Sequence, residues 1–223
     1  MIGCYFAMLD SILKNLMQGI TVIEDEFGAV NKIISKQAGT YANSGGKKVC
    51  YLEPPGSSNS KLAGFDENGF ELPEDHGNGF TIPGDMENSG GSQKNTVIYR
   101  TDQRFLPLEE LKFDLIVFDS FSSYAFGMTE KEIVEFMEEI VRLSRQGKSF
   151  VLASESGMLS DRINAYIRAT VDTVIMVRSE INQGKINRIM YIPKMFGTKP
   201  MDHVIKITVE DDGVDIDTRE FVG

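Results

Sequence analysis

Along the chain, apolar runs of four or five residues alternate with stretches in which apolar residues recur every three or four positions. The runs at 20–23, 48–52, 96–100, 115–118, 149–153 and 173–177 predict strands, several of them continuously apolar, as strands covered on both faces are. Two later runs, 188–193 and 204–209, predict a hairpin-rich end. Residues 6–18 carry Phe6, Leu9, Ile12, Leu13 and Leu16 at helical spacing and close at Gly19. A second helix is predicted over 33–41, stopping at Ser44, Gly45 and Gly46, and a brief helical turn over 108–111. Thr129 and Glu132 form a capping box that opens a helix with Ile133, Phe136, Met137, Ile140, Val141 and Leu143 on one face, ended by Gly147. A further helix is predicted over 159–169. Strands alternating with helices in this order predict an α/β fold with a mainly parallel sheet flanked by helices.

Composition breaks this pattern once. Residues 54–95 are rich in Gly, Ser, Asn, Pro and acids with no periodic apolar positions, the composition of a flexible acidic insertion. The rest of the 223 residues, 41% hydrophobic and 25% charged over the whole chain, suits a single domain spanning 1–223. A net charge of −10 opposes a broad nucleic-acid or anionic-membrane surface, so a nucleic-acid partner is not expected. Cys4 and Cys50 are the only cysteines, too few for a disulfide framework, which points to a reducing, cytoplasmic setting. Residues 1–8 are apolar but short, lack a basic residue and are followed by Asp10 and Lys14, so neither a leader nor a membrane span is expected.

The candidate chemistry lies at strand ends. The segment from Lys112 to Ser120 is a buried strand ending in Asp119, the form that holds a magnesium ion beside a nucleotide. The order of elements resembles the RecA-like ATPases of the KaiC, RadA and archaellum FlaH group. The residues carrying the resemblance are Leu9, Asp10 and Gly19 before the first strand, Gly45 to Glu53 at the second, Asp119 and Ser120 at the end of the Walker B strand, and Lys194 to Thr198 in place of a late lysine-methionine-arginine-glycine segment. The closing Ile207, Thr208 and Asp212 to Val214 follow in order. The resemblance implies a three-layer RecA-like fold, an archaeal source, ATP with magnesium as cofactors, and oligomeric or protein partners.

The departures from that pattern are concentrated where phosphates would bind. A phosphate loop needs Gly at its first and sixth positions, Lys at the seventh and Ser or Thr at the eighth. Residues 25–32 place Asp25, Val30, Asn31 and Lys32 there, keeping Gly28 in the middle. Asp25 and Glu26 would set two carboxylates against a triphosphate, so tight ATP binding in the usual pose is not expected. By resemblance, the degenerate nucleotide site comprises Gly28, Asn31, Lys32, Ser120 and Lys194, with Asp119 as magnesium ligand and Glu53 and Asp119 as the catalytic candidates. The general base falls on Glu53 or Pro55, and the trans-acting late segment keeps Lys194 but has Phe196 where an arginine would be.

Each of these residues also has a purely structural reading. Asp119 equally well ends a buried strand, and Ser154, Glu155 and Ser156 are read as capping the next helix rather than lining a crevice. Arg162 and Arg168 read as solvated, and Met128, Met137, Met158, Met176 and Met190 as core filler. His76 and His203 have no partner at metal-ligand spacing. Together these features predict a KaiC-like or FlaH-like protein, a non-hydrolysing regulatory or assembly subunit. The alternatives are an ATPase with a variant loop using Lys32, Asp119 and Glu53, and a DNA-associated recombinase paralogue.

Overall fold

Nine strands form one sheet in the order β3-β2-β4-β5-β1-β6-β7-β8-β9. A computed structural model describes residues 12–53, 96–100, 107–182, 185–199, 201, 204–210 and 213–216. The insertion assigned to 54–95, His76, His203, Pro55, Cys4 and the first eleven residues lie outside them. The strands are β1 (Ile20–Asp25), β2 (Val49–Glu53), β3 (Thr96–Arg100), β4 (Leu115–Phe118), β5 (Ser149–Glu155), β6 (Thr173–Asn182), β7 (Lys185–Lys194), β8 (Ile205–Glu210) and β9 (Gly213–Ile216). The first six pair in parallel, and β7, β8 and β9 extend the sheet antiparallel from β6. The expected α/β architecture with a late hairpin is what the structure has. β6 runs five residues beyond its predicted end at 177, because pairing with β7 continues to Asn182↔Lys185 where pairing with β1 has stopped.

Among the described residues the sheet is covered by α1 (Val30–Ser44), the short α2 (Phe121–Ala125), α3 (Glu130–Arg145) and α4 (Asp161–Thr170). Residues 12–16 are also helical, and Ile12, Leu13 and Leu16 are buried as their spacing predicts. The Thr129–Glu132 capping box is present in both directions. α2 was not legible as a helix because it is a single turn.

Strand parity divides the core in two. Ile20, Val22, Cys50, Leu52, Ile116, Phe118, Phe150 and Leu152 face α3 and α4. Phe118, Phe121 and Phe136 pack there edge-to-face or stacked, with centroids 5.8–6.2 Å apart, tying α2 and α3 to β4. Ile23, Val49, Tyr51, Leu115, Val117 and Val151 point the other way, against Val30, Ile34, Ala38 and Ala42 of α1 and the 12–16 helix. Met137 and Met190 are core residues as expected, but Met158 is 37% exposed, since it sits in the loop after β5 rather than on a packed element.

Two contacts fix helices to strands. Gly39 of α1 lies against the Tyr51 ring of β2, and Tyr51 Oη donates to the Lys36 carbonyl at 3.2 Å. On the other face, Arg168 of α4 is only partly solvated, its side chain 41% exposed: its guanidinium donates two hydrogen bonds, at 2.7 and 2.5 Å, to the buried Glu24 carboxylate of β1. The two-pronged guanidinium matches the carboxylate geometry, and burial of Glu24 makes a paired counter-charge necessary. Arg162, by contrast, is exposed and makes a looser ion pair with Glu130, at 3.6 Å.

Gly39→Ala should destabilise the fold by about 1–2 kcal/mol even though alanine favours helix by up to about 1 kcal/mol, because the new methyl collides with the Tyr51 hydroxyl. In a Tyr51→Phe background the loss should shrink; urea unfolding of the double-mutant cycle checks it. Arg168→Ala should cost about 2 kcal/mol, limited by the partial exposure of Arg168, and Arg168→Lys should recover only part. Denaturant midpoints of the two variants measure this.

Candidate functional site

The carboxyl ends of β2, β4, β5 and β1 are consecutive across the sheet, and each delivers an acid. Glu53 ends β2, Asp119 follows β4, Glu155 ends β5 and Asp25 ends β1. All four stand an even number of residues from strand positions that pack on α1, namely Tyr51, Val117, Val151 and Ile23, so parity turns them to the same face. Asp25 and Glu155 are register partners. Asp25, Glu53 and Asp119 are buried, and Glu155 is half-buried.

Asp25 is fully buried and directs its carboxylate into the turn that follows its own strand. Oδ1 accepts from Phe27 N at 3.4 Å, and Oδ2 accepts from Ala29 N and Val30 N, both at 2.9 Å. These donors belong to the start of α1, whose N-cap residue Ala29 has no side chain able to cap. Asp25 therefore does from four residues upstream what a local Ser or Asp usually does. The first position of the expected phosphate loop is thus the last residue of β1, and its side chain lies in the hollow that the bare amides surround. Glu26, next along, is exposed.

Gly28 has φ +67°, the left-handed region that favours glycine, and a side chain there would run into Glu155. Glu155 in turn accepts hydrogen bonds through Oε2 from Ser120 Oγ, at 2.8 Å, and from Ser122 Oγ. The helix-capping reading of Ser154 to Ser156 is corrected here: α4 is capped by Ser160, which accepts from Ile163 N at 3.3 Å, while Glu155 lines the crevice. Five residues separate Glu155 from that cap, too far for the end of β5 to reach it. Ser120 serves as the N-cap of α2, its hydroxyl 2.6 Å from Ser123 Oγ.

Asp119 is 1% exposed, and among the described residues neither carboxylate oxygen has a hydrogen-bond partner. Burial raises its pKa above the ordinary 3.8; the Lys32 and Lys36 ammonium groups pull it down, while Glu53 and Glu155 push it up. Lys32 and Lys36 project from the first two turns of α1. Asn31 between β1 and those lysines is wholly buried; its Oδ1 accepts from Lys32 N at 2.7 Å, and its Nδ2 has no partner among the described residues. Among the described residues, no group of three or more His, Cys, Asp or Glu side chains is arranged to hold a metal ion. Cys50 is buried and its thiol is pushed far up by desolvation, which leaves it unreactive.

The structure thus brings Glu53, Asp119, Ser120, Gly28, Asn31 and Lys32 to one crevice and leaves Lys194 out of it. Lys194 pairs in register with Val174, level with Val22 of β1, toward the amino ends of the parallel strands. Its ammonium donates to the Ala169 carbonyl at 2.9 Å and the Arg168 carbonyl at 3.4 Å, in the last turn of α4, where the helix dipole favours a cation. The sequence reading weighed Glu155 as a crevice residue but preferred the helix-capping role, and it missed the amide-capping role of Asp25. Counting in twos from the apolar positions of β5 and β1 places Glu155 and Asp25 on the same face, but the hydrogen bonds of Asp25 depend on the turn that follows β1.

No family model matches this chain, and no curated protein matches it in sequence. Among solved structures it is similar to the flagellar accessory protein FlaH from Methanocaldococcus jannaschii, with a TM-score of 0.65 over 89% of each chain at 13% identity. Identity that low speaks to fold alone, and the shared fold is the RecA-like α/β architecture, with its mainly parallel sheet between helices and its late antiparallel strands.

Proposed function

We propose that this chain is a FlaH-like RecA-fold protein that does not turn over nucleotide and serves as a regulatory or assembly subunit, working through protein partners or further copies of itself. The observation that carries this reading is the acid-lined crevice: Glu53, Asp119, Glu155 and Asp25 stand at four adjacent strand ends, where a nucleotide's phosphates would approach. A carboxylate about 6 Å from a phosphate charge, at an effective dielectric of ~20, opposes it by roughly 2–3 kcal/mol per pair. Lys32 and Lys36 offset part of that repulsion, and Asn31 stands where the phosphate-binding lysine belongs. The residues present do not fit a magnesium-bound triphosphate in the usual pose, and no chemical step is assigned to one.

One observation favours a second reading, a nucleotide-binding protein with a variant loop: Lys32 and Lys36 both act on Asp119, so the crevice is not without cations. Among the described residues no helix is long and apolar enough to cross a membrane.

The deciding measurement is a titration with magnesium and a fluorescent ATP analogue, alongside thermal melting with ATP. No binding at millimolar nucleotide is expected. Micromolar affinity, with a stabilisation near 2.7 kcal/mol at a hundredfold excess over Kd and its loss in Lys32→Ala, would replace the idle-site reading with the second one.

Asp119 gives an independent check. A carboxyl whose folded pKa is raised binds its proton more tightly in the folded chain, so its penalty is absent below the ordinary value of 3.8 and grows as pH rises through the folded pKa. Asp119→Asn should therefore stabilise the protein at neutral pH by about 1–2 kcal/mol, with the gain fading toward pH 3.8. Added magnesium should leave wild-type melting unchanged. A destabilised Asp119→Asn, or a magnesium-dependent rise in wild-type melting, would instead mark Asp119 as an ion ligand.

A further inference from the structure

Seven large apolar side chains are exposed among the described residues, and five of them lie beyond the carboxyl ends of the parallel strands. Phe27 follows β1, Phe126 stands between α2 and α3, and Met158 lies between β5 and α4. These three connections leave β1, β4 and β5, which form one run of the sheet, β4-β5-β1. Ile181 and Ile186 are the other two, 80% and 57% exposed, and they are register partners across β6 and β7. Phe196 and Val204, by contrast, sit between β7 and β8, toward the opposite end.

The two isoleucines ride on a projecting ribbon. β6 pairs with β1 as far as Val177 and then continues to Asn182 with β7 as its partner, so its last residues reach about 16 Å past the end of β1. Ile181 and Ile186 each stand four residues from a core position, Val177 and Met190, so they share the face that packs on α1 but lie beyond its core. The ribbon is also cationic, in a chain of net charge −10: Arg178, Lys185 and Arg188 outnumber Glu180. Among the described residues Lys185 and Arg188 have no acidic partner, and Arg178 lies over the Tyr191 ring, 5.7 Å from its centroid. The connections that carry Phe27, Phe126 and Met158 are acidic instead. Glu26, Glu130 and Asp161 are exposed there, around a crevice whose cations are Lys32 and Lys36, and Arg162 pairs with Glu130.

We propose that this end of the sheet is the contact surface for a second copy of the chain, each copy laying its Ile181 and Ile186 ribbon against the Phe27, Phe126 and Met158 rim of the other. The inference rests on the reading above that the chain works through protein partners or further copies of itself, and names the surface. Ribbon and rim lie at the same end, so a twofold axis lets two copies exchange them and closes the assembly at a pair; at opposite ends they would give an open chain of copies. Charge selects the pairing. Ribbon against ribbon would oppose cations to cations, and rim against rim acids to acids, whereas ribbon against rim matches both sign and apolar surface. Apolar patches edged by polar residues mark contact sites, and a two-stranded ribbon is marginal in water until it packs on something.

Analytical ultracentrifugation of the full chain, without nucleotide, tests this. Wild type should sediment as a dimer with a dissociation constant of about 10 µM or below, and added salt should weaken it. Ile181→Ser/Ile186→Ser should be a monomer, and so should Phe27→Ser/Phe126→Ser; all four side chains are exposed, so each variant keeps its fold. An equimolar mixture of these two variants should associate again, more weakly than wild type, because one intact ribbon then meets one intact rim. Lys185→Glu should weaken association at least about tenfold, an arm that holds without either double variant. A monomeric wild type overturns the proposal and leaves the surface to a different partner. Association that survives both double variants, or a mixture that stays monomeric, overturns it as well. Tight magnesium-ATP binding by a dimeric wild type would instead defeat the idle-site reading alone, so the two failures are told apart.

Discussion

A carboxylate with no exposed surface persists at the end of β1 because backbone amides face it. Asp25 and the start of α1 need each other: the helix opens at Ala29, which cannot cap it, and the acid is buried where only hydrogen-bond donors make its charge tolerable. The placement of α1 follows from that junction. With its first turn held to β1, the helix runs back over the sheet so that Ile34, Ala38 and Ala42 meet Val49, Tyr51, Leu115 and Val117, and Gly39 allows the close approach to Tyr51.

The rest of the crevice shows how burial of charge is managed unevenly. Glu24, one residue before Asp25 and on the opposite face, is matched by Arg168 in two short hydrogen bonds. Glu155 is satisfied by serine hydroxyls. Asp119 has neither arrangement among the described residues; burial raises its pKa, and the longer-range pull of Lys32 and Lys36 opposes that rise only in part. Alternate residues of one strand thus serve different ends, Glu24 locking α4 to the sheet and Asp25 seating α1. Lys194, at the other end of the sheet, closes the last turn of α4 through backbone carbonyls, so within this chain it supports the helix that positions Arg168.

Much of the architecture was legible because it depends on local pattern. Continuous apolar runs marked the parallel strands, the Thr129 and Glu132 pair marked the start of α3, and Gly147, at φ +100°, marked its end. The site was legible only in part. Asp119 stood out as an acid after a buried strand, but Glu155 was read as a helix cap and Arg168 as solvated. Nothing near either residue in sequence reveals its partner: Ser120 and Ser122 lie more than thirty positions from Glu155, and Glu24 lies 144 from Arg168.

What the sequence determined by itself was the set of elements, their α/β order and the mismatch between residues 25–32 and the glycines, lysine and hydroxyl of a phosphate-loop pattern, since these depend on residue type and short-range periodicity. The tertiary structure alone decided that four acids share one face of four adjacent strands, that the Asp25 carboxylate fills the amide hollow at α1, and that Arg168 belongs to Glu24. Those outcomes rest on strand order and register, which are set by how the helices pack across the sheet, and an interaction between distant residues exists only once that packing has brought donor and acceptor within about 3 Å.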